Sequence, residues 1–255
     1  MKLTTVGTGT AAPHASRVSA AHLVETTETR ILFDCGSGSV HRMASLGIAW
    51  QAITHVALTH FHTDHISDLP LLLMGWQWGQ LPPRSSPITL IGPPGTASLL
   101  ERMAALHGPW LLAPPSYQVL VTELEPGPAT VLSLPGGIKL ESHAVPHTPE
   151  SVAYSITEGN QRLVYTGDTG ESEALAAWAQ DCDLLLSECS LPEEMAISGH
   201  LTPLRAGVLA REARAKRLVL THLYPPVEAV DISALVGEHY VGPMVVAADG
   251  WSTQF

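Results

Sequence analysis

The sequence predicts an α/β fold in which two mixed β-sheets pack face to face and helices cover both outer faces. Three observations predict it. The first half of the chain holds many short β-branched and apolar runs, the second half alternates strand with helix, and Pro and Gly punctuate the whole at short intervals. Among 255 residues, 45% are apolar and 15% charged, which suits a buried core and excludes a disordered chain or a coiled coil.

The elements follow in order. Strands are expected at 3–6, 22–25 and 30–33, the last ending in the turn Asp34-Cys35-Gly36. A helix over 40–46 precedes a short buried strand over 54–58, which runs directly into Thr59-His60. The apolar stretch 69–78 reads as helix, Pro82-Pro83 and Pro87 as loop, and 88–91 as strand. Gly92-Pro93-Pro94-Gly95 turns into a helix over 96–106, and 108–115 reads as a loop with exposed apolar residues, Trp110 among them. Strands are expected at 117–122, 130–134, 138–144, 152–156 and 162–166. Helix 171–179, strand 184–187, helix 202–213, strand 218–221, helix 227–238 and strand 244–247 complete the chain. Thr202-Pro203 places a capping hydroxyl before a proline at the first helical position. No linker separates two domains, so 1–255 is read as one.

The formal net charge is -11, which repels polyanions and disfavours an extended nucleic-acid groove built on counterion release. Three cysteines (Cys35, Cys182, Cys189) without a CxxC pair read as reduced, buried thiols. The opening lacks an apolar signal core, and no stretch reaches the roughly 18 apolar residues of a membrane helix. The expectation is a soluble, cytoplasmic protein with no membrane partner.

The chemistry concentrates in Leu58-Thr59-His60-Phe61-His62-Thr63-Asp64-His65, with three imidazoles and a carboxylate inside six residues. Imidazole and carboxylate suit zinc, iron and manganese. On extended backbone His60 and His62 point to one side and can share an ion, and a turn after Thr63 can aim Asp64 and His65 at a neighbouring position. The preceding strand puts the cluster at a strand's carboxyl end, where α/β folds build sites.

This string resembles the HxHxDH signature of the metallo-β-lactamase superfamily. His147 in Val145-Pro146-His147, Asp168 in Thr166-Gly167-Asp168 and His222 in Leu220-Thr221-His222 continue the resemblance in order, and Gly7–Pro13 with Asp34–Gly36 extend it to the start. It implies an αββα sandwich and two divalent metals, zinc by default with manganese or iron as alternatives. It implies one ligand set of His60, His62 and His147 and another of Asp64, His65 and His222, with Asp168 bridging. Two metals about 3.5–4 Å apart would activate a shared water as nucleophile. Asp64 could also accept that water's proton.

Within the superfamily the chain is similar to the ribonuclease Z-like phosphodiesterase branch. Val6–Pro13 followed by Arg17, Ser187-Glu188-Cys189 and Gly199-His200-Leu201-Thr202 carry that likeness. It implies that His200, oriented by Glu188, protonates the leaving oxygen. Ribonuclease Z carries a long arm that grips tRNA, commonly between the third-His and bridging-Asp motifs. Here only 148–167 separates them. The expected substrate is therefore a small or cyclic phosphodiester. Carboxyl ester or lactone hydrolysis, with Tyr154 or Tyr224 at an oxyanion, is the first alternative, and tRNA 3′ cleavage the second. A non-catalytic metal protein would lack a ligand, and none is lacking. Trp76, Trp78 and Trp110 are read as core, as dimer packing, or as an apolar rim or aromatic platform for a base, Arg17 as a phosphate contact or a surface ion pair, and a homodimer as compatible with the apolar loop.

Overall fold

Strand pairing sorts the chain into two seven-stranded sheets of one design; the computed structural model describes residues 1–127 and 130–255. The first sheet holds β1 (Lys2–Gly7), β2 (Ala21–Glu25), β3 (Arg30–Phe33), β4 (His55–Ala57), β5 (Ile88–Gly92) and β6 (Val119–Glu123), with β14 (Ser252–Gln254) beside β1. The second holds β7 (Val131–Leu134), β8 (Ile138–Ala144), β9 (Val152–Glu158), β10 (Gln161–Tyr165), β11 (Leu184–Glu188), β12 (Leu218–Thr221) and β13 (Met244–Val246). In the first, β14 to β3 pair antiparallel and β3 to β6 parallel. In the second, β7 to β10 pair antiparallel and β10 to β13 parallel. The two sheets thus repeat one plan that no sequence period betrays.

Three apolar clusters separate four layers. Between the sheets lie Leu3, Ile31, Phe33, Tyr154, Tyr165, Leu186 and Val219. Outside the first sheet, α1 (Ser39–Ser45), α3 (Leu69–Trp78) and α4 (Thr96–His107) cover Leu32, Val56 and Leu90 with Met43, Leu72, Trp76 and Leu100. Outside the second, α5 (Glu173–Trp178), α6 (Pro203–Glu212) and α7 (Ile232–Gly237) cover Val164, Leu185 and Leu220 with Leu175, Leu209 and Val236. Strands buried on both faces explain the continuous apolar runs: in β3, Ile31 and Phe33 point inward and Leu32 outward. This is the αββα sandwich expected.

Four local expectations need correction. The turn after Thr63 is one turn of helix, α2 (Thr63–Ile66). The helix expected over 227–238 is a 3₁₀ turn, Pro225–Ala229, followed by α7, because Asp231 accepts the Ala234 N–H and restarts the chain there. The 108–115 loop is partly core, since Leu111 is buried under the 3₁₀ turn Pro109–Leu111. Strand β14 was not expected; Ser252, Thr253 and Gln254 form it by pairing with β1. Thr202 caps α6 through the Arg205 N–H, with Pro203 next, as expected. Among the described residues, no helix is long and apolar enough to cross a membrane.

Candidate metal centre

Strands β3, β4, β8, β10, β11 and β12 share one direction within their sheets, and the residues expected at the site follow the carboxyl ends of five of them. Beyond β4, backbone bonds from Leu58 to Ile91 and from Val152 to Thr59 hold the chain between the sheets up to His60. His62 is the extended residue before α2, and Asp64 and His65 occupy its single turn. Gly36 makes room for that turn: a Cβ there would stand 2.0 Å from the Asp64 carbonyl oxygen.

The structure brings all seven expected ligands together. The candidate donor atoms of His60, His62, His147 and Asp168 lie within 4.8 Å of one another, as do those of Asp64, His65 and His222. Asp168 faces both groups. Its Oδ2 stands 3.8 Å from His60 Nε2 and 3.7 Å from His147 Nε2, and its Oδ1 stands 3.3 Å from His65 Nε2 and 3.4 Å from His222 Nε2.

Two observations fit metal ions between these atoms. First, His60 Nε2 and Asp168 Oδ1 are buried without a hydrogen-bond partner, a costly arrangement for polar atoms. Second, outer partners occupy the Nδ1 of four imidazoles and leave Nε2 facing inward. Asp34 accepts from His65 Nδ1 at 2.8 Å, and the Gly199 carbonyl accepts from His147 Nδ1 at 2.9 Å. Thr59 spends its hydroxyl proton on Asp34, so its oxygen accepts from His60 Nδ1 at 3.0 Å. Ser190 donates to Glu188 and accepts from His222 Nδ1 at 3.0 Å. The donor set is imidazole and carboxylate throughout, which suits borderline divalent ions.

Burial, reinforced by the nearby His65, pushes the His60 pKa down to about 2, so this imidazole is neutral. Burial also acts against charge on His65, but Asp168 and Asp34 win and raise it well above the ordinary value. Burial disfavours the Asp64 carboxylate, yet the His222 hydrogen bond and the charges of His65 and His222 bring it down to about 2. Asp168 is held well below the usual range against its own burial, chiefly by His222 and His65.

Beside this centre, fully buried Glu188 accepts the Thr169 and Leu201 amide hydrogens and His200 Nδ1–H at 3.1 Å. Burial alone would lower the His200 pKa; the Glu188 bond and charge raise it. The His200 ring lies 4.8 Å from His147 and stacks 5.7 Å from His222, with Tyr224 edge-on at 6.2 Å.

Other expected residues lie elsewhere. The Tyr154 hydroxyl is buried and donates to the Leu58 carbonyl, which excludes it from an oxyanion role. Arg17 is committed to Glu228, Thr8 and the Ala247 carbonyl, the ion-pair reading. Trp76 is core, and Trp78 packs against Trp110 at 5.1 Å. The three cysteines are free and buried. A groove of about 430 Å³ between α5 and α6, lined by Glu171, Arg205 and Glu212 among others, holds none of the clustered His or Asp residues. Sequence reading passed over the role of Asp34, which accepts from Thr59, His65 and Tyr165, and over Ser190 and Asp249. An Asp closing a strand before a Gly turn was the available signal for Asp34.

The model of the beta-lactamase superfamily domain matches residues 29–223. A ribonuclease Z of Mycobacterium sp. (strain KMS) is 30% identical over 249 residues, 89% of this chain and 85% of that protein. The probable metallo-hydrolase YhfI of Bacillus subtilis is 27% identical over 88% of this chain and 87% of its own. Its crystal structure superposes with a TM-score of 0.83, at 23% identity, over 99% of this chain and 98% of that one. The short form of human tRNase Z gives a TM-score of 0.80 at 25% identity, over 100% of this chain and 99% of that one. The chain belongs to the beta-lactamase superfamily, in its ribonuclease Z-like branch of metallo-hydrolases.

Proposed function

We propose that this metallo-hydrolase cleaves small or cyclic phosphodiesters, with His60, His62 and His147 holding one divalent metal, Asp64, His65 and His222 a second, and Asp168 shared. The observation that carries the proposal is the split of the Asp168 carboxylate, one oxygen toward each set. Zinc is the first choice for this donor set. Bound metals would supply an activated water and a clamp on the reacting phosphate oxygens.

The chain's own groups supply proton movement. Asp64, ionised, accepts the proton of the attacking water. His200, held through Nδ1 by Glu188, donates from Nε2 to the leaving oxygen. The buried Tyr154 hydroxyl removes one of the two oxyanion candidates of an ester hydrolase, and Tyr224, 6.0 Å from His222, keeps that reading as the first alternative.

A small diester is favoured over tRNA by the interval after His147. Residues 148–167 are spent on β9, β10 and their turn, and no arm leaves the sheet there. The net charge of -11 works in the same direction. The likeness to ribonuclease Z and to the short form of human tRNase Z supports tRNA cleavage as the second alternative. Free, buried thiols suit the reducing cytoplasm. We also propose a homodimer through α3. This charge-free helix exposes Leu71, Met74 and Trp78 along one stripe, and Trp110 extends it.

The test is a leaving-group series on His200→Ala. Diesters with nitrophenolate leaving groups should lose at most about tenfold, and alkyl diesters about 10²–10⁴-fold. Equal losses across the series would remove His200 as the acid.

A further inference from the structure

We propose that Asp249 is a positioning residue for the second metal-binding set, acting through the 8–18 segment on His222. The inference rests on the reading of Asp64, His65 and His222 as that set. Asp249 lies between β13 and β14, where the chain crosses from the second sheet to the first. Its side chain is only 2% exposed. Oδ1 accepts from the Thr8 amide at 2.9 Å and the Thr8 hydroxyl at 2.7 Å, and Oδ2 accepts from the Val18 amide at 2.8 Å. One carboxylate therefore grips both ends of the segment, which the Gly9 N–H to Val18 carbonyl bond closes at 2.8 Å.

The held segment is in turn a support for the site. The Thr8 carbonyl accepts from the amide of Leu223 at 2.9 Å, the residue directly after His222. His222 has φ 56°, a left-handed conformation that a non-glycine residue keeps only when its surroundings impose it. Its Nε2 must sit within reach of both Asp64 Oδ2, at 3.4 Å, and Asp168 Oδ1, at 3.4 Å. The path runs by hydrogen bonds from Asp249 to Thr8 and from Thr8 to Leu223, and then through one peptide bond to His222. Among the described residues the first set has no such link to Asp249: its outer partners are Thr59 and Gly199. A general staple would weaken both sets alike, whereas a positioning residue weakens one.

Calorimetric titration of the metal-free full-length protein with Zn²⁺ separates the two, with His62→Ala and His222→Ala assigning the binding steps. Asp249→Asn keeps one acceptor, cannot accept from Val18 as well, and gives up the ion pair of Oδ2 with Arg42 at 3.3 Å. It should weaken the His222-dependent step by about 10–100-fold and leave the His62-dependent step within about twofold. Thr8→Val, which deletes one of the three Asp249 bonds and the Arg17 bond to the same hydroxyl, should act in the same direction by about threefold. Thr5→Val is the control: Thr5 Oγ1 holds the same crossing segment through the Ala248 carbonyl at 2.8 Å but does not touch the 8–18 segment. It should lower stability and leave both steps unchanged. Equal weakening of both steps in Asp249→Asn, or no weakening in a folded variant, overturns the proposal. If Asp249→Asn does not fold, an unchanged second step in Thr8→Val overturns it instead. Failure of the wild type to bind a second ion would instead strike the ligand assignment itself.

Discussion

The Asp34 carboxylate and the His65 imidazole meet at 2.8 Å with both side chains wholly buried, one after β3 and the other in α2. Asp34 also accepts from the Thr59 amide at 2.8 Å and the Tyr165 hydroxyl at 2.9 Å, and its own φ of 58° is left-handed. A single carboxylate therefore ties the HxHxDH segment to both sheets while fixing which His65 nitrogen faces the site.

Asp34→Ala leaves several buried donors without an acceptor and should cost about 3–5 kcal/mol in urea unfolding. Asp34→Asn fills the space but cannot accept from every donor. It should fold and weaken metal binding by about 10–100-fold in a chelator competition. Full metal affinity in Asp34→Asn would refute the orienting role.

Metal binding at the second set should release a proton. Without metal, Asp168 and Asp34 outweigh burial and keep His65 protonated through neutral pH, so a cation must displace that proton. The sign follows: as pH falls below the raised folded pKa, apparent affinity drops by up to about tenfold per unit. His60, already lowered to about 2, imposes no such penalty on the first set. Calorimetry in buffers of different ionisation enthalpy counts the protons. A second step without proton release would contradict the account.

Tyr154→Phe deletes a hydroxyl whose bond goes to the Leu58 carbonyl between the sheets. The expected cost is about 1 kcal/mol in thermal or urea unfolding, with turnover on every substrate class unchanged. A selective loss of ester turnover would restore the oxyanion reading.

The α3 stripe predicts concentration-dependent dimerisation. Met74→Glu, at a position 45% exposed, should give a monomer by sedimentation without loss of thermal stability. A monomeric wild type at high concentration would rule the interface out.

The layered fold and the seven clustered residues were legible because each has a local signature. Strands buried on both faces leave apolar runs, and four donors packed into residues 60–65 leave a pattern that chance rarely writes. His147, Asp168 and His222 could be found because each follows such a run. Asp34 and Asp249 could not be read with equal ease, since their meaning lies in partners far along the chain: Thr59, His65 and Tyr165 for one, Thr8 and Val18 for the other. Strand β14 hid for a similar reason. Its Ser-Thr-Gln sequence is polar, and only the open edge of β1 makes it a strand. The break before α7 rests on the Asp231 cap, a side-chain bond that periodicity does not register.

Hydrolysis of a chromogenic phosphodiester by the zinc-reconstituted protein, beside a phosphomonoester, a carboxyl ester and a lactone, distinguishes a phosphodiesterase from its rivals. Asp168→Ala, which removes the carboxylate shared by both sets, accompanies every substrate. A dinuclear phosphodiesterase should turn over the diester above the others, and turnover should fall to background in Asp168→Ala. Turnover confined to the ester or lactone, or diester turnover that survives Asp168→Ala, would contradict that assignment.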